Sequence, residues 1–351
     1  MKKILSSIIL ISTLFIITYF LFVFPFDILN IWKSNQSFNW LFSLTSTLIT
    51  FTLVRLYFST NITFTPLRLF VCEGIGIGFI SLNLIFIIYI LELFFILYGS
   101  TKINLFLTYL TILLIIGYGS TIFIKTKTIK IQSNKIQKNR KITFISDIHL
   151  GSNSINHLKK IIKKINYLKP DLILIGGDLI DSNSFLLENL NILNQIKEPI
   201  YFVTGNHEYY LKNSKEKINR LKEFNIILLD NKSTLLEDIN LIGISDNQNI
   251  EKQKKTFFSK NIKNAYNLCL VHKPSLWKLI NKNCDLMLSG HTHNGQIFPF
   301  NLLVRLKFKE KFGLYKNKNS LLYVSSGSGT WGPKLRLGSF NEVISIILKP
   351  A

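Results

Sequence analysis

Five short motifs in the second half of the chain carry residue types that bind metal ions. They are DIH with Asp147 and His149, GGD with Asp178, GNHE with Asn206 and His207, VH with His272, and GHTH with His291 and His293. Their side chains offer carboxylate and amide oxygens and imidazole nitrogens, without a thiolate. Such a donor set suits Mn, Fe or Zn in five- or six-coordinate sites.

These eight side chains are more than one ion can take. If one carboxylate is shared, the set forms two sites with about four protein ligands each. Two metal ions about 4 Å apart can hold a phosphoryl group between them and generate hydroxide at neutral pH. The motifs therefore predict a dinuclear site suited to phosphoester chemistry.

Each motif follows a short apolar run that predicts a buried strand. The runs are ITFI, LILI, IYFV, LCLV and LMLS, and segments with helical spacing lie between several of them, at residues 154–167, 184–196, 213–224 and 274–280. Buried strands that alternate with helices indicate an α/β fold. Because ligands bind beyond the carboxyl ends of strands in such sheets, we expect the five motifs to meet at one site.

The order DIH, GGD, GNHE, VH and GHTH resembles the calcineurin-like metallophosphoesterase superfamily. The resemblance covers about residues 141–349. It is greatest to the membrane-anchored bacterial branch of YkuE-like and YaeI-like phosphodiesterases, in which HKP and SGHTHxGQ also occur. It implies a sandwich of two mixed β-sheets flanked by helices.

The resemblance also implies a role for each residue of the motifs. Asp147, His149 and His293 would bind the first metal, Asp178 would bridge both metals, and Asn206, His272 and His291 would complete the second site. His207 would contact the phosphate and protonate the leaving oxygen, for which an imidazole is suited. A hydroxide that bridges the two metals would attack phosphorus in line.

Four further polar residues lie near the motifs or between them. Glu208 is expected to support His207 or a neighbouring ligand, and Asp181 and Asp246 either do the same or belong to turns. His157 lies on a predicted helix beside two lysines, which favours a solvated position.

The first 125 residues are apolar and contain only three acidic side chains. Four segments are each long enough to cross a membrane, at residues 4–26, 40–58, 69–91 and 103–124. The glycines of GIGIG, at residues 74–78, indicate close helix packing in the third. We expect a transmembrane helical domain at residues 1–125, a basic linker or first strand at 126–140, and the metallophosphoesterase domain at 141–351.

The formal net charge of the 351 residues is +22. Basic residues flank the apolar segments at Lys2, Lys3, Arg55, Arg68, Lys125, Lys127 and Lys130. Because basic residues mark the cytoplasmic side, the sequence predicts a multi-pass protein of the cell (inner) membrane with a cytoplasmic catalytic domain. No stripe of aromatic and basic residues is present, so no specific nucleic-acid partner is expected. The oligomeric state stays open.

The motifs do not identify the substrate. Residues 297–312, IFPFNLLVRLKFKEKF, mix large apolar and basic side chains. They either lie on the membrane surface and admit a lipid-linked phosphodiester or pyrophosphate, or pack on the core. Some members of the resembled superfamily cleave the pyrophosphate of UDP-2,3-diacylglucosamine, which makes it one candidate. A nucleotide or protein phosphatase, a nuclease and a non-catalytic membrane sensor or transporter are the alternatives.

Overall fold

The structure is a computed structural model that describes residues 2–29, 36–60 and 65–351. For residues 2–8, 36–38 and 58–60 it describes the helical backbone alone. The chain divides into two compact units, Met1–Tyr118 and Gly119–Ala351.

The N-terminal part is helical. Its helices are α1 (Lys2–Phe22), α2 (Phe24–Ile28), α3 (Gln36–Thr60), α4 (Thr65–Glu92) and α5 (Gly99–Ile122). Among the residues that the structure describes, three stretches are long and apolar enough to cross a membrane, namely Asn39–Tyr57, Thr65–Glu92 and Gly99–Ile122. They correspond to the second, third and fourth predicted segments.

The first predicted segment, residues 4–26, is wrong in its extent. Helix α1 ends at Phe22, and Pro25 lies in the first turn of the separate short helix α2. Proline has no backbone N–H and is tolerated at the start of a helix rather than in its interior, so it favours a new helix here.

The glycines of α4 lie against α1, which confirms the packing expected for GIGIG. A side-chain carbon added at Gly78 would collide with the backbone oxygen of Leu21. One added at Gly74 would collide with the ring of Phe22. Small residues therefore let the two helices approach closely, as in other membrane helix pairs.

The second unit contains twelve strands. In chain order they are β1 (Ile124–Ser133), β2 (Arg140–Ile145), β3 (Leu172–Ile175), β4 (Ile200–Phe202), β5 (Ile226–Leu228), β6 (Lys232–Leu236), β7 (Ile239–Ile244), β8 (Tyr266–Val271), β9 (Leu286–Ser289), β10 (Gly313–Asn317), β11 (Ser320–Val324) and β12 (Asn341–Pro350). They form two six-stranded sheets, with the orders β1-β12-β2-β3-β4-β5 and β10-β11-β9-β8-β7-β6. Both sheets are mixed, because β12 runs antiparallel to β2 and β10 antiparallel to β11.

Helices connect and cover the strands. They are α6 (Ile155–Leu168), α7 (Asn206–Tyr210), α8 (Ser214–Arg220), α9 (Ile250–Lys260), α10 (Trp277–Ile280) and α11 (Phe300–Lys307), with 3-10 helices at Leu187–Gln195, Leu221–Phe224, Pro274–Leu276 and His293–Gly295. The predicted helix at residues 184–196 is therefore a shorter 3-10 helix.

Alternating side chains on the central strands build the layers. In β2, Phe144 packs between the two sheets, whereas the next residue, Ile145, packs toward α6 and the 3-10 helix after β3. In β8, Leu270 packs between the sheets and Val271 packs toward α9 and α10. A strand with apolar residues on both faces is buried on both sides, so the predicted sandwich of two mixed sheets flanked by helices is confirmed.

The parallel strands of the first sheet end at the same level. Ile145 is the partner of Ile175 across β2 and β3, and Ile175 is the partner of Phe202 across β3 and β4. These three residues are the last of their strands. The loops that carry DIH, GGD and GNHE therefore leave the sheet side by side.

Candidate metal centre

The predicted site residues follow five parallel strands. Asp147 comes two residues after β2, Asp178 three residues after β3, Asn206 at the start of α7 after β4, His272 directly after β8, and His291 two residues after β9. The carboxyl ends of β2, β3 and β4 thus provide five of the eight site residues, and those of β8 and β9 provide the other three.

Asp147, His149 and His293 form a first buried group, in which one ligand atom of each lies within 4.8 Å of the others. The Nε2 atoms of the two histidines are 3.0 Å apart, and Nε2 of His293 is 3.6 Å from Oδ1 of Asp147. Two nitrogens that bind one ion at about 2.0–2.1 Å lie about 3.0–3.4 Å apart for right-angled to tetrahedral geometry. The group therefore fits a single cation.

Asp178, His272 and His291 form a second group, in which Asp178 and His272 are buried and His291 is half-buried. Nε2 of His272 lies 3.1 Å from Oδ2 of Asp178 and 3.2 Å from Nδ1 of His291. Burial opposes a charge on His272, but the Asp178 carboxylate raises the pKa of this histidine to about 10. The position thus favours positive charge, which a divalent cation also supplies.

Asp178 lies between the two groups. Its Oδ2 atom is 3.1 Å from Nε2 of His272 in the second group and 3.8 Å from Nε2 of His149 in the first. One carboxylate oxygen therefore faces ligand atoms of both, which is the arrangement that a bridging ligand needs.

Asn206 has an unsatisfied side chain beside this carboxylate. Its Oδ1 atom is buried and has no hydrogen-bond partner in the described part of the chain. The next residue, His207, donates its backbone N–H to Oδ1 of Asp178 at 2.9 Å. A buried acceptor without a partner costs about 1–3 kcal/mol, so this oxygen fits a metal ligand better than a structural role.

Outer contacts orient the histidines. Nδ1 of His272 lies 2.8 Å from the backbone oxygen of Gly176 and donates to it, which leaves Nε2 directed toward Asp178. Nδ1 of His149 lies 3.4 Å from a carboxylate oxygen of Asp181. A second hydrogen bond such as that of His272 fixes the ring and the tautomer of a metal-binding histidine, whereas Asp181 faces Nδ1 of His149 as a charge without a hydrogen bond. Asp181 therefore supports a candidate ligand, one of the two alternatives predicted for it.

His207 lies at the edge of the cluster. Its Nε2 atom is 4.0 Å from Oδ2 of Asp178, and its ring lies 5.3 Å from that of Tyr210 and 6.0 Å from that of Trp331. Burial lowers the pKa of His207 to about 4. Tyr210 and Trp331 are both exposed, so aromatic side chains border the histidine on its solvent side.

Glu208 organises the backbone of the GGD loop. It is buried, and its carboxylate accepts hydrogen bonds from the backbone N–H groups of Asp178, Leu179, Ile180 and Gly205 at 2.7–3.1 Å. Burial and the charge of Asp178 raise its pKa to about 7. The sequence predicts support for a neighbouring ligand, and the support acts through the backbone of Asp178.

Five of the candidate ligands have a left-handed backbone. The φ angles are 53° for Asp147, 52° for His149, 52° for Asp178, 71° for His291 and 49° for His293. This region is uncommon for residues other than glycine, and surrounding structure has to hold such residues there. Its recurrence at one cluster indicates that the loops are shaped for the position of these side chains.

The sequence gives no signal for Arg336, which lies behind His293. Arg336 is fully buried, and its guanidinium donates to the backbone oxygens of His293 (3.1 Å), Ser326 (2.6 Å) and Gly329 (2.7 Å). Its Nε atom also donates to Oδ1 of Asn341 at 2.8 Å. In a chain with 42 basic residues, nothing local distinguishes this arginine from solvated ones.

His157 is not solvated, so that prediction is wrong. Its Nε2 atom lies 2.6 Å from the backbone oxygen of Ser328, a residue 171 positions away. Burial lowers the pKa of His157, although the Ser328 oxygen opposes this change. The contact depends on tertiary structure, which the helical spacing around His157 does not report.

Asp246 pairs with the ammonium group of Lys273 at 2.6 Å beside His272.

The fold and the clustered histidines and carboxylates are those of the metallophosphoesterase family. Residues 140–295 match the family model described as calcineurin-like phosphoesterase. The chain belongs to this family, whose members use divalent metal ions, and the two groups are the candidate places for them.

Relatives support the same assignment. An uncharacterised metallophosphoesterase of Campylobacter jejuni is 37% identical over 237 residues, which are 64% of this chain and 63% of the relative. A transmembrane protein with metallophosphoesterase domain of Danio rerio is 33% identical over 236 residues, 60% of this chain and 53% of the relative. The uncharacterised metallophosphoesterase YkoQ of Bacillus subtilis is 32% identical over 250 residues, 63% of this chain and 88% of the relative. The chain thus spans less than two thirds of the length of the first two.

Proposed function

We propose that the protein is a membrane-associated phosphodiesterase or pyrophosphohydrolase that works with two divalent metal ions, chosen from Mn, Fe and Zn. The observation that carries the proposal is the position of Asp178, whose Oδ2 atom faces ligand atoms of both groups. Asp147, His149 and His293 bind one ion, and Asn206, His272 and His291 bind the other. Asp178 contributes to both sites.

The ions supply positive charge that polarises a phosphoryl oxygen and acidifies water. The chain itself supplies the proton handling. His207 is neutral at neutral pH, because burial lowers its pKa to about 4. A bound phosphodiester brings a negative charge next to this imidazole, which favours its protonated form. His207 then donates a hydrogen bond, and finally a proton, to the leaving oxygen.

We further propose that the substrate is a lipid-linked phosphodiester or pyrophosphate. Three membrane-capable helices in the same chain support access to lipid. UDP-2,3-diacylglucosamine stays the specific candidate, and the exposed Tyr210 and Trp331 beside His207 offer aromatic surfaces on which a planar group can stack. The rate of cleavage of this lipid-linked substrate should be compared with the rates for a nucleotide, a phosphoprotein and a nucleic acid.

We also propose that the catalytic unit lies on the cytoplasmic side of the cell membrane. Lys125, Lys127 and Lys130 follow α5 within eight residues, and basic residues next to a membrane helix mark this side. A cysteine introduced at the exposed Tyr167 should react with a membrane-impermeant maleimide only after the cells are opened. Reaction in intact cells would place the unit on the other side.

Activity of the full chain in detergent with Mn²⁺ tests the central proposal. Bis-(p-nitrophenyl) phosphate should be cleaved faster than p-nitrophenyl phosphate. His207→Asn should lower kcat by about 10²–10⁴-fold and leave the bound metal unchanged, because the histidine acts on protons. Asp178→Asn should lose both metal and activity.

His157→Asn is the matched control, since it removes a partly buried histidine outside the cluster. This variant should keep its metal and most of its activity. Full activity of both Asp178→Asn and His207→Asn would contradict the assignment. Preferential cleavage of the monoester would retain the metal chemistry and exclude the phosphodiesterase.

A further inference from the structure

Helix α11 exposes three leucines on its surface. None of its residues is buried, and Leu302, Leu303 and Leu306 are each more than half exposed. Leu306 is 83% exposed, and Phe298 just before the helix is also exposed. A surface helix of a soluble domain normally buries its apolar stripe, so a contiguous exposed stripe marks an interaction surface.

The spacing and the charges of this helix fit a lipid surface. Leu302, Leu303 and Leu306 stand at relative positions i, i+1 and i+4, which places them within an arc of about 100°. Basic residues at Arg305 and Lys307 are exposed beside this stripe. Apolar side chains bordered by exposed cations are typical of helices that lie in the interface of anionic membranes.

A chain of hydrogen bonds within the second unit links the segment before α11 to Ser120. Ser120, in the last turn of α5 and within the second unit, donates its hydroxyl to the backbone oxygen of Arg336 at 2.6 Å. The next residue, Leu337, exchanges backbone hydrogen bonds with Gln296 (3.0 Å) and Phe298 (2.9 Å). Phe298, two residues before α11, is thus tied to the first residues of the second unit.

The same helix adjoins the metal centre. The ring of Phe308, directly after α11, lies 5.3 Å from that of His291, and the hydroxyl of Thr292 donates to the backbone oxygen of Lys311. A surface that contacts lipid here would therefore border the opening of the catalytic site.

We propose that α11, together with Phe298, is a second membrane contact of this protein and inserts its apolar stripe into the interface of an anionic bilayer. The occupant of the stripe is thus the lipid surface itself. Of the two alternatives for residues 297–312, the membrane surface is the one proposed for α11, because none of its residues is buried. Ile297, before the helix, is buried in the catalytic unit. The proposal goes beyond the hydrolytic function and does not depend on it.

Fluorescence quenching in the full chain tests the contact without an activity measurement. The three native cysteines are buried, so a bimane label can be placed at Leu306→Cys and, separately, at Leu303→Cys. Tyr167→Cys on α6, where the native side chain is 86% exposed, is the matched control. Each labelled protein is reconstituted in vesicles of phosphatidylcholine and phosphatidylglycerol.

We expect lipids that carry a doxyl group on the acyl chain to quench most of the fluorescence at positions 303 and 306, and aqueous iodide to quench it at position 167. Equal iodide quenching at all three positions would overturn the proposal. Protection of positions 303 and 306 from both quenchers would also overturn it, because a second copy of the protein would then cover the stripe. Activity toward a soluble diester, measured separately, reports on the proposed function alone.

Discussion

His149 and His293 place their Nε2 atoms 3.0 Å apart, although the two residues are 144 positions apart in the chain. The first follows β2 of one sheet, and the second lies in the loop after β9 of the other. The contact therefore joins the two sheets at their carboxyl edges, and a cation held by both imidazoles would stabilise that junction.

Metal removal should accordingly destabilise the protein. A ligand that binds only the folded state stabilises it by about 4 kcal/mol when its concentration is 1,000 times Kd. We expect EDTA to lower the Tm of the wild type and Mn²⁺ to restore it, as followed by intrinsic fluorescence. Asp178→Asn should show a much smaller response to both. An equal EDTA effect on the two proteins would show that the metal acts elsewhere.

Glu208→Gln should destabilise the GGD loop. The carboxylate of Glu208 accepts four backbone N–H groups, whereas an amide offers one oxygen and turns a second donor toward N–H groups. Each buried donor left without a partner costs about 1–3 kcal/mol, so we expect a loss of at least this size in chemical denaturation. Glu216→Gln on the exposed face of α8 should have little effect. Equal stability of the two variants would contradict the role of Glu208.

Arg336→Lys should weaken metal binding as well as stability. A lysine ammonium cannot reach all five oxygen acceptors of the guanidinium, so the backbone of His293 would lose its donor. We expect the free energy of unfolding to fall by about 1–3 kcal/mol. Isothermal titration should show Mn²⁺ affinity reduced by about 10–100-fold, as for other residues that support a ligand. Arg220→Lys, on the surface, is the matched control, and unchanged affinity in Arg336→Lys would limit Arg336 to a structural role.

His157 should make the fold sensitive to mild acid. Its folded-state pKa lies below the unfolded value of about 6.5, so the unfolded state binds the proton more readily. Stability should therefore fall as the pH drops from about 6.5 toward the folded-state pKa. The Tm of His157→Asn should decline less over this range than the Tm of the wild type. Parallel declines would show that other groups, such as the histidines of the metal centre, cause the whole effect.

The sequence was sufficient for the strands that lead to the site because each is an unbroken apolar run followed by a polar motif. Asp147, Asp178 and His272 stand at the ends of such runs, and parallel pairing brings those ends together. The break at Val23 was missed because the apolar composition continues through Pro25 into α2. A hydropathy value is averaged over many residues and does not detect such a break. The helix begins again near Pro25 because proline has no backbone N–H and is tolerated only in the first turn of a helix.

Arg336 and His157 could not be predicted for a different reason. His157 bonds to a backbone oxygen, and Arg336 bonds to three backbone oxygens and to uncharged side chains such as Asn341, so no acidic partner marks either contact in the sequence. Their burial depends on where the loop at residues 325–341 folds back on the site. Local spacing describes the faces of a helix or strand and carries no information about such a loop.

The position of β12 has a consequence for how the protein is made. This strand, Asn341–Pro350, pairs with β1 on one side and with β2 on the other, so it separates two strands that are neighbours in the chain. The ribosome releases α1–α5 and nearly the whole catalytic unit before residues 341–350 emerge. The membrane helices are therefore available for insertion while the first sheet still lacks an inner strand, and hydrolytic competence should arise only after anchoring has begun.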